Sequence, residues 1–454
     1  MLEISPSYLN QIEHDVRPLT VAVLLRITEV FGVDATFFSS QDDSRLIAEL
    51  REVVQDKDLD IDVDPAEIAD VVAGHPALAR AMVNLHRRYR ITTTQLAAAT
   101  EDRYTDGSGS SSGTGSITMP HEEVRDYFYQ RHNYLHELDT AAEDLTVRMR
   151  MHRADLAREI ADRLTEVHGV QIARRIDLGD SVLHRYDPGS KTLEISNHLS
   201  GGQQVFKLAT ELAYLEYGDL IDTMVDDGKF TSEESRKLAR LGLANYFAAA
   251  TVLPYRQFHG VAEDFQYDIE RLSAFYSVSY ETVCHRLSTL QRPSMRGVPF
   301  SFVRVDRAGN MSKRQSATGF HFSSSGGTCP LWNVYETFGN PGKILVQVAQ
   351  MPDGRNYLWV ARTVERRASR YGQPGKTFAI GLGCELRHAH RLVYSQGLDL
   401  SSEGATTPIG VGCRVCERDN CPQRAFPALG RALDLDEHRS TVSPYLVLQE
   451  GAHP

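Results

Sequence analysis

The chain has 454 residues, of which 41% are hydrophobic and 24% charged, with a formal net charge of -11. That length suits several domains and that composition an ordinary globular protein; the acidic balance excludes a nonspecific nucleic-acid coat but leaves room for a local DNA contact. No apolar run reaches the roughly 18 residues of a membrane helix, and MLEISPSYLNQIEHD lacks a basic segment followed by an apolar one, so a cytoplasmic chain without membrane contact is expected.

In chain order, Ser5 before Pro6 opens a predicted helix that runs to about His14. Leu9 and Ile12 turn inward with Val16, leaving Ser7, Tyr8, Asn10 and Gln11 outward near the N-terminal end. With Ser5, these side chains can exchange hydrogen bonds with base edges and phosphates, as a helix in a major groove must. Thr20 caps a second helix carrying Leu24, Leu25, Ile27 and Phe31, closed by Gly32. An ordinary helical hairpin with a polar face is the competing reading of residues 1–40. Helical patterns follow over Ser44 to Val54 and twice between Pro65 and Thr100, and residues 41–103 are read as a connector and dimerisation region. DGSGSSSGTGS, Asp106 to Ser116, cannot bury apolar surface, so 104–117 is a linker.

From Pro120 to Leu290 the periodicity is almost entirely helical, which defines a domain over 118–296. From Gly297 it changes to period two: FSFVRV and KILVQVAQ alternate as half-buried strands, and Pro352-Asp353-Gly354 is a hairpin turn before NYLWVARTV. KTFAIGL is a further strand leading into a predicted helix, CELRHAHRLVYS. The fold class expected is multidomain α+β, with mainly helical N-terminal two-thirds and a mixed antiparallel C-terminal domain over 297–454.

Two groups of residues in the C-terminal domain carry chemistry. Cys413, Cys416 and Cys421 are spaced so that three thiolates can converge on one metal or cluster, with Cys384 as the first choice of fourth ligand and Cys329 and His388 behind it. An iron–sulfur cluster is preferred over zinc, with simple buried thiols as the alternative. Trp332, Tyr335, Trp359 and Phe320 can line a pocket on the sheet, and Arg304, Lys313, Arg314 and Arg362, with Arg366, Arg367 and Arg370, can meet phosphates. Aromatics in a core and arginines on a solvated face account for the same residues.

Several segments resemble known families. SPSYLNQIEHDVRPLTVAVLLRITEVFGV resembles the second half of a repressor-type (XRE-type) helix-turn-helix domain. This implies a double-stranded DNA operator as partner and a domain whose first helices would precede Met1. FKLATELAYLEYGD and SRKLARLGLANYFAAATVLP resemble two helices of the IrrE-type and ImmA-type zinc peptidases. In those peptidases two histidines four apart bind the metal and the glutamate between them is the general base. Thr210 and Tyr214 occupy the histidine positions here, Leu241 replaces the later acidic ligand and Glu211 alone remains, so no bound metal and no peptide hydrolysis are expected.

Together with GFHFSSSGGTCPLWNVYETF, GLGCELRHAHRLVY and GCRVCERDNCPQRAFP, the whole chain is similar to the actinobacterial short-chain fatty-acyl transcriptional regulators of the RamB and PrpR type. The resemblance implies a homodimeric regulator of acetate, propionate and fatty-acid carbon metabolism, through the glyoxylate shunt or the methylcitrate cycle. It also implies CoA or a short-chain acyl-CoA as effector and an iron–sulfur cluster in some members. A metabolite- or redox-sensing protein without DNA binding, and a zinc metallopeptidase, are the alternative functions.

Overall fold

The computed structural model describes residues 41–54, 56, 63–102, 120–149, 155–176, 178, 182–318, 320, 329–366, 372, 375–400, 402–410, 412–413, 416, 418, 421–427 and 433–443. The predicted DNA-reading helices, with Ser5, Ser7, Tyr8, Asn10 and Gln11, and the linker lie outside the described residues, as do Arg367 and Arg370. The chain divides into two compact units, Met1–Arg87 and Arg88–Pro454.

In the first unit, α1 (Gln41–Val54), α2 (Pro65–Gly74) and the start of α3 (Pro76–Asp102) follow the predicted helical patterns. Proline at the first position and an aspartate cap start α2: the Asp64 carboxylate accepts from the Ala66 N–H at 2.7 Å. Leu46, Leu50, Val53, Ile68, Val72, Ala79 and Val83 form a small core.

The second unit begins its described part with α4 (Pro120–Gln130), α5 (His136–Arg148) and α6 (Leu156–His168). A small sheet interrupts the expected helical run: β1 (Gln171–Arg175), β2 (His184–Asp187) and β3 (Thr192–Ser196), in the order β1-β3-β2, with β1 parallel and β2 antiparallel to β3. These strands are four or five residues long and β1 is mostly exposed, so neither length nor apolar alternation marked them. The long helix α7 (Gly201–Asp227) starts at a capping box formed by Ser200 and Gln203 and kinks at Tyr217. Helices α8 (Glu233–Val252), α9 (Tyr255–Asp264), α10 (Ile269–Tyr276) and α11 (Tyr280–Leu287) complete the helical part.

A buried ionic knot joins α5, α8 and α11. Arg286, 1% exposed, donates to Asp139, 0% exposed, at 2.5 Å and to the Leu253 carbonyl at 3.0 Å. The Tyr246 hydroxyl donates to the other Asp139 oxygen at 2.5 Å. Every strong donor aimed at this carboxylate is itself buried, so charge and hydrogen bonds are balanced without water.

The C-terminal sheet contains β4 (Ser301–Val305), β5 (Met311–Ser316), β6 (Leu345–Gln350), β7 (Asn356–Arg366), β8 (Lys376–Glu385) and β9 (Thr407–Pro408), in the order β5-β4-β8-β7-β6-β9. Its pairings are antiparallel except β6 with β9. The predicted hairpin turn is present, with Gly354 at φ +83° and its N–H donating to the Met351 carbonyl. The predicted helix after β8 is instead two 3₁₀ turns, Leu386–Arg391 and Val393–Ser395. Its apolar residues Leu386, Ala389 and Leu392 recur every three positions, the 3₁₀ period, and not every 3.6.

Alternation assigns the two faces of this sheet to different cores. Phe302, Val348, Leu358, Val360, Ile380, Leu382 and Cys384 share one continuous core with the helices of the unit. Val303, Val305, Ala349, Tyr357, Trp359, Ala361 and Ala379 face the other way, under Phe320, Cys329, Trp332, Val334 and Ile409.

Candidate functional site

The peptidase-like helix α7 retains its scaffold. Thr210, at the first histidine position, donates its hydroxyl to the Phe206 carbonyl one turn back, at 2.8 Å. Tyr214, at the second, lies under the guanidinium of Arg240, 5.1 Å from the ring centroid, and Arg240 is held by Asp222 at 2.6 Å. Glu211 is only 5% exposed, and burial raises its carboxyl to about 7. Leu241 is 45% exposed and supplies no ligand. The helix thus brings one buried acid to the old centre with neither imidazole that would hold zinc beside it.

The cysteine segment is organised by two arginines and a glycine. Arg424, nearly buried, donates to the carbonyls of Cys413 and Cys416, both at 3.0 Å, and to that of Arg418. Arg418 in turn donates to the carbonyls of Ile409 and Gln350, at 3.0 and 2.7 Å, anchoring the loop to the end of β6. Gly410 lies between two thiols: its N–H donates to Cys329, and a Cβ on it would stand 2.6 Å from the Cys416 sulfur. Cys329 lies within electrostatic reach of Cys413 and Cys416, and Cys416 within reach of Cys421. Burial pushes the Cys329 and Cys416 thiols up, against the N–H groups of Gly410, Leu331 and Arg418 and the charges of Arg418 and Arg424, which favour thiolates.

Cys384 is elsewhere. It is buried on the opposite face of the sheet, among the helical core, with Glu385 and Arg391 as its charged neighbours. The sheet therefore separates the first choice of fourth ligand from the other three and brings Cys329 to them. Among the described residues, no three His, Cys, Asp or Glu side chains are grouped as they would be round a single metal ion. A polynuclear cluster holds its ligand sulfurs farther apart than one zinc does. N–H donors aimed at sulfur, with neighbouring guanidinium groups, are the surroundings such a cluster uses.

The sheet likewise divides the expected effector residues. Trp332, Trp359 and Phe320 pack together on the outer face, with Trp332 and Trp359 edge to face at 4.7 Å and Tyr335 against Trp332. Gly381 and Gly383 make this possible: a Cβ at 383 would stand 2.5 Å from the Trp359 ring. Arg304 and Lys313, paired across β4 and β5, point to the helical side and share Glu281, at 2.8 and 3.7 Å. Arg362 reaches Glu270 at 2.8 Å and covers Tyr280. Arg314 pairs with Val303 and so belongs to the outer face. Arg304, Lys313 and Arg362 are thus each paired with a carboxylate, and the seven expected residues lie on two faces of the sheet. The residues that sequence reasoning missed are Arg418 and Arg424, whose sequence signal is their place between and just after the cysteines.

Residues 289–445 match the family model for the short-chain fatty acyl coenzyme A regulator, C-terminal, and residues 165–288 match that for the IrrE N-terminal-like domain. The chain is 84% identical over 451 residues to the HTH-type transcriptional regulator RamB of Mycobacterium tuberculosis, covering 99% of this chain and 94% of that protein. It is 47% identical to the HTH-type transcriptional regulator PrpR of the same species over 98% of this chain and 90% of that protein. A solved structure of a Mycobacterium tuberculosis transcriptional regulator is 50% identical, with a TM-score of 0.71, and covers 72% of this chain and all of that one.

Proposed function

The chain belongs to the short-chain fatty acyl coenzyme A regulators of the RamB and PrpR type and is a transcriptional regulator of short-chain acyl metabolism, not an enzyme; on that premise we propose how it works. It acts in the cytoplasm as a homodimer on a two-fold operator, read through Ser5, Ser7, Tyr8, Asn10 and Gln11. The genes it controls serve acetate, propionate and fatty-acid carbon, through the glyoxylate shunt or the methylcitrate cycle. CoA or a short-chain acyl-CoA bound by the C-terminal domain sets operator affinity, and it does so by its different affinity for the two states of the protein.

One observation supports such gating: the inner face of the C-terminal sheet shares its core with the helices, so a ligand that repacks the sheet must also repack them. Cys329, Cys413, Cys416 and Cys421 would hold an iron–sulfur cluster, with Arg418 and Arg424 fixing the loop that presents three of them. A bound cluster supplies sensitivity to oxidation.

The test is a gel shift with the chain's own promoter and those of neighbouring carbon-metabolism operons, with and without acetyl-CoA and propionyl-CoA. Specific binding altered by one CoA ester is expected. Specific binding that neither ester changes would overturn the gating, and ester binding without any DNA binding would leave a metabolite sensor.

A further inference from the structure

Tyr335 is oriented against the habit of its residue type. A half-buried tyrosine normally sinks its ring and keeps its hydroxyl in water. Tyr335 is half-buried, yet its hydroxyl oxygen is shielded from solvent and has no hydrogen-bond partner among the described residues. A buried hydroxyl without an acceptor is costly, and native proteins keep few of them. Two ionisable groups act on this phenol, Cys329 first and Asp306 second. The Asp306 carboxylate is already engaged: it accepts from the N–H groups of Ala308 and Asn310, both at 2.9 Å, and from the Asn310 side-chain amide at 3.0 Å. The Cys329 sulfur is the acceptor that remains. Chain path and packing agree. The Trp332 N–H donates to the Cys329 carbonyl at 3.2 Å and the Tyr335 N–H to the Trp332 carbonyl at 3.1 Å, so two hydrogen-bonded turns fold residues 329–335 back on themselves. Both side chains belong to the outer-face core, where the Tyr335 ring meets Trp332 edge to face at 6.3 Å.

We propose that Tyr335 raises the reduction potential of the cysteine site, its hydroxyl donating to the Cys329 sulfur once that sulfur is a cluster ligand. The proposal rests on the cluster reading above and adds a residue that tunes the group without binding iron. A neutral thiol is a weak acceptor, which explains why the hydroxyl is idle beside Cys329 in the metal-free chain. A ligating thiolate is negatively charged and accepts a strong, charge-assisted hydrogen bond. Reduction by one electron adds negative charge to the sulfurs, so an O–H aimed at one of them stabilises the reduced form more than the oxidised form. The N–H groups of Gly410 and Leu331 act on the same sulfur in the same sense, but they belong to the backbone and no side-chain substitution removes them. The Tyr335 hydroxyl is removed by deleting one atom.

The experiment compares the full-length parent with Tyr335→Phe, both purified without oxygen. Iron is measured by elemental analysis, the midpoint potential by dithionite titration followed in visible absorbance, and the stability of the iron-free form by chemical denaturation. Iron content should be equal in the two proteins. The potential of the variant should be lower, by the equivalent of roughly a tenfold change in the reduction equilibrium, about 59 mV for one electron. The iron-free variant should be at least as stable as the iron-free parent, because the hydroxyl it lacks has no partner there. Equal potentials at equal iron content would overturn the role of Tyr335 and leave the cluster standing. Iron lost along with the hydroxyl would overturn that role too, since the residue would then serve assembly. An iron-free variant whose unfolding equilibrium moves roughly tenfold or more toward the unfolded chain would overturn it by showing that the hydroxyl has a partner within the protein. A parent that holds no iron would overturn the cluster reading itself, and this proposal with it.

Discussion

Removing the Asp139 carboxylate should cost more than any other single polar change in the second unit. In Asp139→Ala, Arg286 keeps its charge at 1% exposure with only the Leu253 carbonyl and Thr289 hydroxyl as acceptors, and the Tyr246 hydroxyl loses its acceptor. Breaking a buried pair by removing one member costs about 3–5 kcal/mol, because the remaining charge cannot be rehydrated. The pair of substitutions Asp139→Leu with Arg286→Met leaves no charge stranded and should cost less than Asp139→Ala alone. Chemical denaturation followed by two probes is the assay. Both tryptophans, Trp332 and Trp359, are on the sheet, whereas far-ultraviolet circular dichroism reports mainly helices. Because helices and sheet share a core, the tryptophan midpoint should move with the main dichroism transition although Asp139 is on α5. A loss below about 1 kcal/mol would refute the energetic argument; a dichroism transition that shifts while the tryptophan signal stays put would refute the shared core.

Two further outcomes follow from the sites. Cys416→Ser and Cys329→Ser should each lower the iron bound by protein purified without oxygen, as measured by elemental analysis and visible absorbance, while Cys384→Ser should leave it unchanged; a loss confined to Cys384→Ser would reverse the assignment of the fourth ligand. Glu211→Gln should change how stability depends on pH. With its folded pKa raised from 4.5 to about 7, the parent keeps its full stability from this group below about 4.5 and loses it as the pH rises through 7. Glutamine removes that loss, so the variant should be the more stable of the two at pH 8 and show no such advantage at pH 4; parallel stability curves for variant and parent would count against a buried, protonated Glu211.

Much of the architecture was legible because it rests on long periodic patterns. The described helices of the first unit and the strands KILVQVAQ, NYLWVARTV and KTFAIGL with the Pro-Asp-Gly turn carry strong local signals. Short elements with exposed faces did not: β1 to β3 are too brief for alternation to stand out, and the turns after Glu385 hide a period of three inside what reads as a helix. The sites were legible by residue type and not by partner. Cys384 and Arg362 are both near a motif in sequence, yet which face of a strand each takes depends on register, and one residue of register decides between the helical core and the outer face. Cys329 is 84 positions from Cys413, and only the packing of the loop on the end of β6 brings them together.

The glycines of β8 have a consequence for how this sequence can vary. At 381 and 383 the neighbouring side chains occupy the space where a Cβ would be, with the Val303 methyl at 2.8 Å from the first and the Trp359 ring at 2.5 Å from the second. Every missense codon, even one for alanine, adds that atom, so neither site has a conservative neighbour in the genetic code. Drift at these two positions is confined to synonymous changes unless the indole, for 383, or both Val303 and Val334, for 381, change first. Natural alleles should therefore record the position of Trp359 as two silent columns, readable without any structure.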